Sequence, residues 1–432
     1  MALFLIARLA LAGAPGPVDD SSLLPRDATA TKASDASKRT DTGEEERRER
    51  VPIPIPADLL PASPSRHSAA RAPTVSTPMP PDPSARLLEG SEASEYWTLY
   101  IELDSGHRIT QRFLLSNAGP GDHNAVAVGH LIEPGRKPYR YENGRRRSRW
   151  TLSEDRLFFD IAASHLDLHR PTGELRITKD DIEIRLFFAF PATGLAASMP
   201  RDRLPDDYHV DVLAVAAATH GTLLAPWMEE PLPTTGRTWL AHTWTRKREA
   251  ALLDRRVEIY ANDHGTSFYG IHLRRRGRFE RGWALGRSEA PPIIESRINV
   301  PASWIELDVT GSTGSSGPYP LPTGFELPGA VPWPRRITLG QEWLRFDPLA
   351  VIPQPFRWFI RRSTQPREVW ANARIDGTLS PAPGTPSLPD SGEAESEIER
   401  DSNSKRETEV ETAERSVTGV ASITFFNPTD RR

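Results

Sequence analysis

From Tyr96 to Glu102 apolar and polar side chains alternate, Asp104-Ser105-Gly106 supplies a turn, and Arg108 to Leu115 returns with the same period. A period of two places successive side chains on opposite faces of a strand, so this stretch predicts an antiparallel hairpin. Further strands are expected at Ala125 to Ile132, Arg149 to Leu152, Arg156 to Ile161, His165 to Leu168, Gly173 to Thr178 and Asp181 to Phe190. Glu142-Asn143-Gly144 and Arg170-Pro171-Thr172-Gly173 read as connectors between them. A second run starts near Leu223 and continues through Arg237 to Arg246, Arg255 to Ala261, Ser267 to Arg274, Gly277 to Leu285, Ile294 to Val300, Trp304 to Val309, Arg335 to Trp343, Arg357 to Ile360 and Val369 to Leu379. Short strands at this spacing, with no βαβ rhythm, predict an all-β chain of sandwich or barrel type. Two consecutive units are expected, 91–222 and 223–432.

The pattern fails in three places. Residues 2–14 read ALFLIARLALAGA, too short to cross a bilayer as a helix and ending in small residues before Pro15. Residues 1–14 therefore read as a candidate secretion signal, although Arg8 interrupts the run and no Lys or Arg precedes it. Export to the periplasm or envelope is the expected location, with the cytoplasm as the alternative. Residues 15–90 are rich in Pro, Ser, Ala, Thr and charge, a composition that cannot bury a core and predicts a disordered linker. Residues 380–415 form an acidic, Pro/Ser/Glu-rich insertion, with ten acidic side chains against four basic ones between Asp390 and Arg415, and are expected to be disordered. Beyond the insertion, Ser416 to Phe426 resumes the alternation and is expected to close the second unit.

Composition narrows the chemistry. A net charge of -4 over 432 residues offers no excess of cations for a nucleic-acid backbone, so no nucleic-acid partner is expected. The absence of cysteine excludes disulfides, thiol nucleophiles and thiolate metal sites. His165 and His169 stand four apart, but no third ligand completes a set, so no metal is expected, nor any other cofactor. Ser116 and Ser164 lack a nucleophile-elbow context, and no Gly-rich phosphate loop is present.

Two motifs carry a resemblance. The first is Tyr96-Trp97, the Asp104-Ser105-Gly106 turn, Gln111, Ser116-Asn117 and Gly121-Asp122-His123. The second is Gly236, Trp239, His242 and Trp244, with Ile375-Asp376-Gly377 and Gly419 to Phe426 towards the end. Together they resemble a tandem lipocalin-like family that includes AttH-type proteins, the hydroxyneurosporene synthase (carotenoid hydratase) group and the fungal survival-factor group. The resemblance implies two consecutive lipocalin-like, or calycin-like, antiparallel β-barrels that handle a hydrophobic ligand such as a lipid or isoprenoid. It also implies that His242, Trp244 and Tyr269 lie in an active cavity if the chain is an enzyme. Two departures weaken the enzymatic form: Ala241 stands where the family has an acid before the histidine, and Gly270-Ile271 where an acid follows the tyrosine. Asp263 is the nearest spare carboxylate.

His242 and Trp244 share one strand face, so an imidazole beside an aromatic wall can hold a proton or a water. The second unit holds Trp239, Trp244, Trp283, Trp304, Trp343, Trp358 and Trp370, each of which is first of all a core residue. The candidate ligand-binding residues are Tyr96, Trp97, His123, Trp239, His242, Trp244 and Tyr269. His123 is either a gate or a turn tether, and the Arg145-Arg146-Arg147 and Arg274-Arg275-Arg276 tips are either solvated turns or contacts to an anionic membrane surface. The expected function is non-enzymatic binding or carriage of a hydrophobic molecule by a monomer. A hydratase acting on an isoprenoid and a structural envelope protein with filled barrels are the alternatives.

Overall fold

The computed structural model describes residues 80–117, 122–190, 195–263, 265–275, 278–288, 305–307, 319, 321–327, 336–347, 366–378 and 414–426. The candidate signal, most of the Pro-rich linker, the strands expected at Ile294 to Val300 and Arg357 to Ile360, and nearly all of the acidic insertion lie outside them. The described chain is all-β, folded as two curled antiparallel sheets.

The first sheet holds β1 (Ser94–Leu103), β2 (Arg108–Ser116), β3 (Asn124–Ile132), β4 (Tyr139–Arg145), β5 (Thr151–Leu152), β6 (Phe158–Ile161), β7 (Ser164–Asp167), β8 (Thr172–Lys179), β9 (Ile182–Ala189), β10 (Ala197–Ser198), β11 (Tyr208–Leu224) and β12 (Leu232–Thr245). Its order is β4-β3-β2-β1-β12-β11-β9-β8-β7-β6-β5, with β10 beside β11. The second holds β13 (Arg255–Asp263), β14 (Thr266–Arg275), β15 (Phe279–Ser288), β16 (Ile305–Leu307), β17 (Gly324–Glu326), β18 (Arg336–Phe346), β19 (Arg367–Thr378) and β20 (Glu414–Phe425). Its order is β15-β14-β13-β20-β19-β18-β17-β16. Both sheets obey one rule: the last strand returns to lie beside the first.

That rule moves the expected division at 222/223. The motif from Gly236 to Trp244, read from sequence as the opening of a second unit, lies on β12, and β12 pairs with β1 from Ser94↔Thr245 to Leu103↔Gly236. The first sheet therefore runs to Thr245, and the second begins at Arg255. The cause is β11, a 17-residue strand that crosses the expected boundary and turns straight into β12. Its Val212 to Ala218 stretch is apolar on consecutive positions and buried on both faces, so it shows no alternation to read. A second correction concerns Glu142-Asn143-Gly144, expected as a connector; these residues pair with Val126 to Val128 inside β4.

Each sheet has an inner and an outer face. On β1, Trp97, Leu99, Ile101 and Leu103 point inward and pack with Phe113, Phe159, Leu186 and Leu213. Val257, Ile259, Phe268, Ile375 and Ile423 fill the inner side of the second sheet. The outer faces pack on each other, joining Tyr100, Val212, Trp239, Tyr260, Tyr269, Trp370 and Val420 in one cluster. Strands β1 and β13, β12 from Thr238 and β20 from Val420 are thus largely buried on both sides.

Tight pairing of β12 against β1 explains the glycine that heads its motif. A Cβ on Gly236 would stand 2.2 Å from the Glu102 carbonyl oxygen, which cannot swing aside because it belongs to the β1 ladder. At Gly340 the nearest atoms would be at 3.5 Å, an ordinary contact. Gly236→Ala is expected to lose about 2 kcal/mol of stability or more through forced strand displacement, with Gly340→Ala close to neutral, as read by chemical denaturation.

Candidate functional site

The outer faces do not meet as a purely apolar sandwich. On the second sheet, strand register sets out three rows of side chains: Glu368-Thr424-Arg256, Trp370-Ser422-Glu258 and Val420-Tyr260-Tyr269. On the first, the facing rows are Ala241-Thr98-Arg112-Val128, Trp239-Tyr100-Thr110-His130 and Thr243-Tyr96-Leu114. Charged and aromatic groups interleave, and nearly every one is buried.

Ion pairs cross the seam between the sheets. Arg112 Nη1 lies 3.2 Å from Glu368 Oε2, and Glu368 Oε1 accepts the Trp370 indole N–H at 2.9 Å. Deeper in, Glu249 lies on the short helical turn Glu249–Leu252 that joins β12 to β13. Its Oε1 accepts the Tyr96 hydroxyl at 2.5 Å and the Tyr208 hydroxyl at 2.9 Å, and Arg256 Nη1 stands 3.2 Å away. Arg256 also donates to the Tyr96 oxygen and lies 3.2 Å from Glu258, which accepts the Tyr269 hydroxyl at 2.9 Å. Both guanidiniums sit over the Tyr96 ring, Arg112 at 5.5 Å and Arg256 at 5.1 Å. A single chain of contacts therefore runs from Glu368 through Arg112, Tyr96 and Arg256 to Tyr269.

Burial sets the protonation of this chain. Loss of hydration pushes the Glu249 carboxyl up to about 7, against the pull of the Tyr208 hydrogen bond and Arg112. Burial also raises the Tyr100, Tyr208, Tyr260 and Tyr269 phenols well above their ordinary range, so they stay neutral donors. His130 is pushed down to about 4 by burial and is uncharged at neutral pH. For Glu368 burial acts upward, but Arg112, His130 and the Trp370 hydrogen bond together hold it below its usual value.

Beside the chain lies a crevice lined by Thr98, Arg112, Val128, His130, Phe346 and Trp370. Its interior volume is about 20 Å3, and the space around it runs out into open solvent. Thr98, Arg112, His130 and Glu368 are among its polar lining, and Val128, Phe346 and Trp370 its apolar lining. Four buried hydroxyls in the same inter-sheet layer, those of Tyr100, Tyr260, Ser422 and Thr424, have no hydrogen-bond partner among the described residues. The phenols of this group lie in aromatic surroundings: Tyr100 and Tyr260 are 4.9 Å apart by ring centroid, and Trp370 stacks on both at 5.7 and 5.9 Å.

The seven residues expected from sequence divide into two groups. Tyr96, Trp239 and Tyr269 lie in the inter-sheet layer, where the Trp239 indole donates to the Phe268 carbonyl at 3.0 Å. Trp97 and His242 face the inner side of the first sheet, with their rings stacked at 4.4 Å. His242 Nε2 bonds Glu95 at 2.8 Å, and Glu95 also accepts the Arg86 and Leu87 amides at 2.6 and 3.1 Å. Trp97 donates to the Pro83 carbonyl at 3.1 Å. This pair anchors the segment 81–88 across the end of the first sheet. Trp244, on the same face and half-buried, is stacked between His209 at 4.7 Å and the Arg86 guanidinium at 5.0 Å. His123 tethers a turn: its amide donates to Asn117, its ring reaches the Leu88 carbonyl at 3.3 Å, and its carbonyl accepts the Trp150 indole. His242 and Trp244 are therefore brought together, with ring centroids 4.8 Å apart, while Tyr269 lies apart from them in the inter-sheet layer.

Sequence reasoning passes over Glu249, Arg256, Glu258, Arg112 and Glu368. A signal exists in Arg256-Val257-Glu258-Ile259-Tyr260, where charge and aromatic alternate with aliphatic residues. Alone, that pattern reads as a solvated face, and only the facing sheet turns it into a buried one.

No family model and no curated protein matches the sequence. Among solved structures, the fold is similar to an AttH-like protein from Nitrosomonas europaea at 12% identity and a TM-score of 0.47, covering 77% of this chain and 92% of that one. It is similar to kievitone hydratase from Nectria haematococca at 10% identity and a TM-score of 0.47, covering 80% of this chain and 94% of that one. A structure of CghA with Sch210972 matches at 10% identity and a TM-score of 0.47, covering 82% and 97%. At these scores the likenesses carry no argument about activity or ligand.

Arg112→Met strands Glu368 in the seam and is expected to cost about 3 to 5 kcal/mol in denaturation experiments, part of which returns when Glu368→Leu is added. Glu249, protonated when folded, stabilises the fold fully below its ordinary value of 4.5, and that contribution is lost as pH rises to about 7. His130 works the opposite way: its contribution is complete above 6.5 and is lost as pH falls to about 4. Glu249→Gln is expected to remove the falling component, so that stability between pH 5 and 7 rises more steeply with pH than in the wild type.

Proposed function

We propose that the seam between the two sheets binds a small, largely apolar molecule bearing hydrogen-bonding oxygen, and that the protein holds or carries this molecule. The observation that supports the reading is the set of buried hydroxyls on Tyr100, Tyr260, Ser422 and Thr424, unpartnered among the described residues. Buried polar groups in folded proteins nearly always have partners, and leaving one unpaired costs on the order of 1 to 3 kcal/mol. Hydroxyls clustered among aromatic rings are the lining that an apolar molecule with a few oxygens completes. The crevice beside Arg112 shares the Trp370 ring with this layer. The inner face of the first sheet is a weaker candidate, because its own aliphatic and aromatic side chains pack it.

A second reading is favoured by Glu249. A buried carboxyl that keeps its proton to about pH 7, bonded to two phenols, has the properties of a general acid. On this reading the seam protonates its ligand, and Glu249, rather than His242, is the donor.

Native mass spectrometry with solvent extraction, on the protein purified from its own source, separates the readings. A stoichiometric molecule retained by the wild type and lost from a Tyr100→Phe/Tyr260→Phe variant, and from Val128→Trp, which plugs the crevice, is the expected result. If Glu249→Gln retains the molecule unchanged while only the wild type converts it, the acid–base reading stands. Protein that carries nothing from its source and ignores a panel of lipids and isoprenoids overturns both.

A further inference from the structure

We propose that the molecule taken by the seam is electrically neutral, with an alcohol, ketone or ether oxygen on an apolar frame, and that the seam rejects carboxylate- and phosphate-bearing lipids. This rests on the seam being the binding site, and it follows from the charges that face it. From the first sheet come Arg112 on β2 and His130 on β3; from the connection comes Glu249; from the second sheet come Arg256 and Glu258 on β13 and Glu368 on β19.

Neither guanidinium is free. Arg112 faces Glu368 at 3.2 Å and donates Nε to Thr98 at 3.3 Å. Arg256 is held by Glu249 at 3.2 Å, by Glu258 at 3.2 Å and by the Tyr96 hydroxyl. Two cations thus meet three carboxyls, a balance of -1, which a proton on one carboxyl brings to zero. Glu249, buried and shared by two phenols, is the carboxyl that burial keeps protonated. His130 adds no charge at neutral pH. At the rim, Arg108 pairs with Glu102 at 3.6 Å, Arg140 with Glu142, and Arg367 with Asp347 at 2.5 Å, so each of these cations is matched by a carboxylate.

An incoming carboxylate would add a further buried anion with no cation among the described residues left to meet it, and an unpaired buried charge is among the most costly things a protein can hold. A hydroxyl or carbonyl oxygen needs only a dipole. The unpartnered atoms of the layer, the hydroxyls of Tyr100, Tyr260, Ser422 and Thr424, are dipoles that can donate or accept. Charge balance and hydrogen-bonding capacity select the same class.

The test compares farnesol with farnesoic acid, which differ in oxidation state and charge on one isoprenoid frame, by tryptophan quenching on the full chain at neutral pH. Farnesol is expected to bind, and the acid to bind at least about 10-fold more weakly. Glu258→Gln, which removes one negative charge without changing side-chain shape, is expected to narrow that gap by strengthening the acid. If the acid binds the wild type as tightly as the alcohol, and Val128→Trp abolishes both, the site stands and the inference of neutrality is overturned. If neither probe binds, or binding survives Val128→Trp, the seam is not the site and both proposals fall.

Discussion

The pairing of β1 with β12 is the constraint on which the rest of the molecule depends. Ten residue pairs, from Ser94↔Thr245 to Leu103↔Gly236, fix a register in which the two strands present matched faces. Because the side-chain period is two, a slip of β1 by one residue would carry Trp97 to the outer face, away from His242, and Tyr96 to the inner one, away from Glu249. Neither face tolerates that exchange. The inner face needs the Trp97–His242 stack and the Glu95 carboxylate that holds the segment 81–88, while the outer face needs Tyr96 at Glu249 and Thr98 at Arg112. Gly236, where a Cβ would strike the β1 backbone, locks the end of the same ladder.

Much of this is readable from the chain. The hairpin of β1 and β2, the all-β class and the resumption of strand at Ser416 follow from alternation and turn residues, and Tyr96, Trp239 and Tyr269 stand out by motif. Three things are not readable, each for a physical reason. Strand β11 is covered on both faces, so its Val212 to Ala218 stretch loses the alternation that marks a half-exposed strand. The closing of the first sheet by β12 is a long-range pairing, and a motif gives no hint of whether it begins one sheet or ends another. The seam's charges look like a solvated face because Arg256 and Glu258 alternate with Val257 and Ile259 as surface charges do. His242 reads from sequence as inward and beside an aromatic ring, as it is, but its carboxylate partner, Glu95, comes from 147 residues away in the chain.

A charged seam is not the cheapest way to join two sheets. Replacing a buried ion pair with well-packed apolar residues is often neutral or stabilising, so Arg112–Glu368 and Arg256–Glu258 are poorly explained as devices for stability alone. What they add is directionality. Apolar faces slide, whereas a guanidinium over the Tyr96 ring and in reach of particular carboxylates accepts one alignment. The alignment matters because it holds the Tyr100, Tyr260 and Trp370 rings together around hydroxyls left unpartnered among the described residues.

The seam also lies where each sheet closes. β1 and β12 are the first and last strands of the first sheet, β13 and β20 those of the second, and the outer faces of these four strands supply Tyr96, Tyr100, Trp239, Arg256, Glu258, Tyr260, Ser422 and Thr424. The site is therefore incomplete until both closures form, and β20 arrives only after the 379–413 segment that separates it from β19. Such a separation is tolerable because loop-closure entropy grows only logarithmically, about 0.6 kcal/mol for each doubling of length. The register of β20 is the stricter requirement: Ser422 must sit between Trp370 and Glu258, and Thr424 between Glu368 and Arg256. A slip of one residue there would exchange those hydroxyls for Ala421 and Ile423 and press aliphatic carbon against two ion pairs. The same charges that tie the sheets together thus reject the wrong closure of the second one, so the polar character of the seam sets both the alignment of the sheets and the register of their final strand.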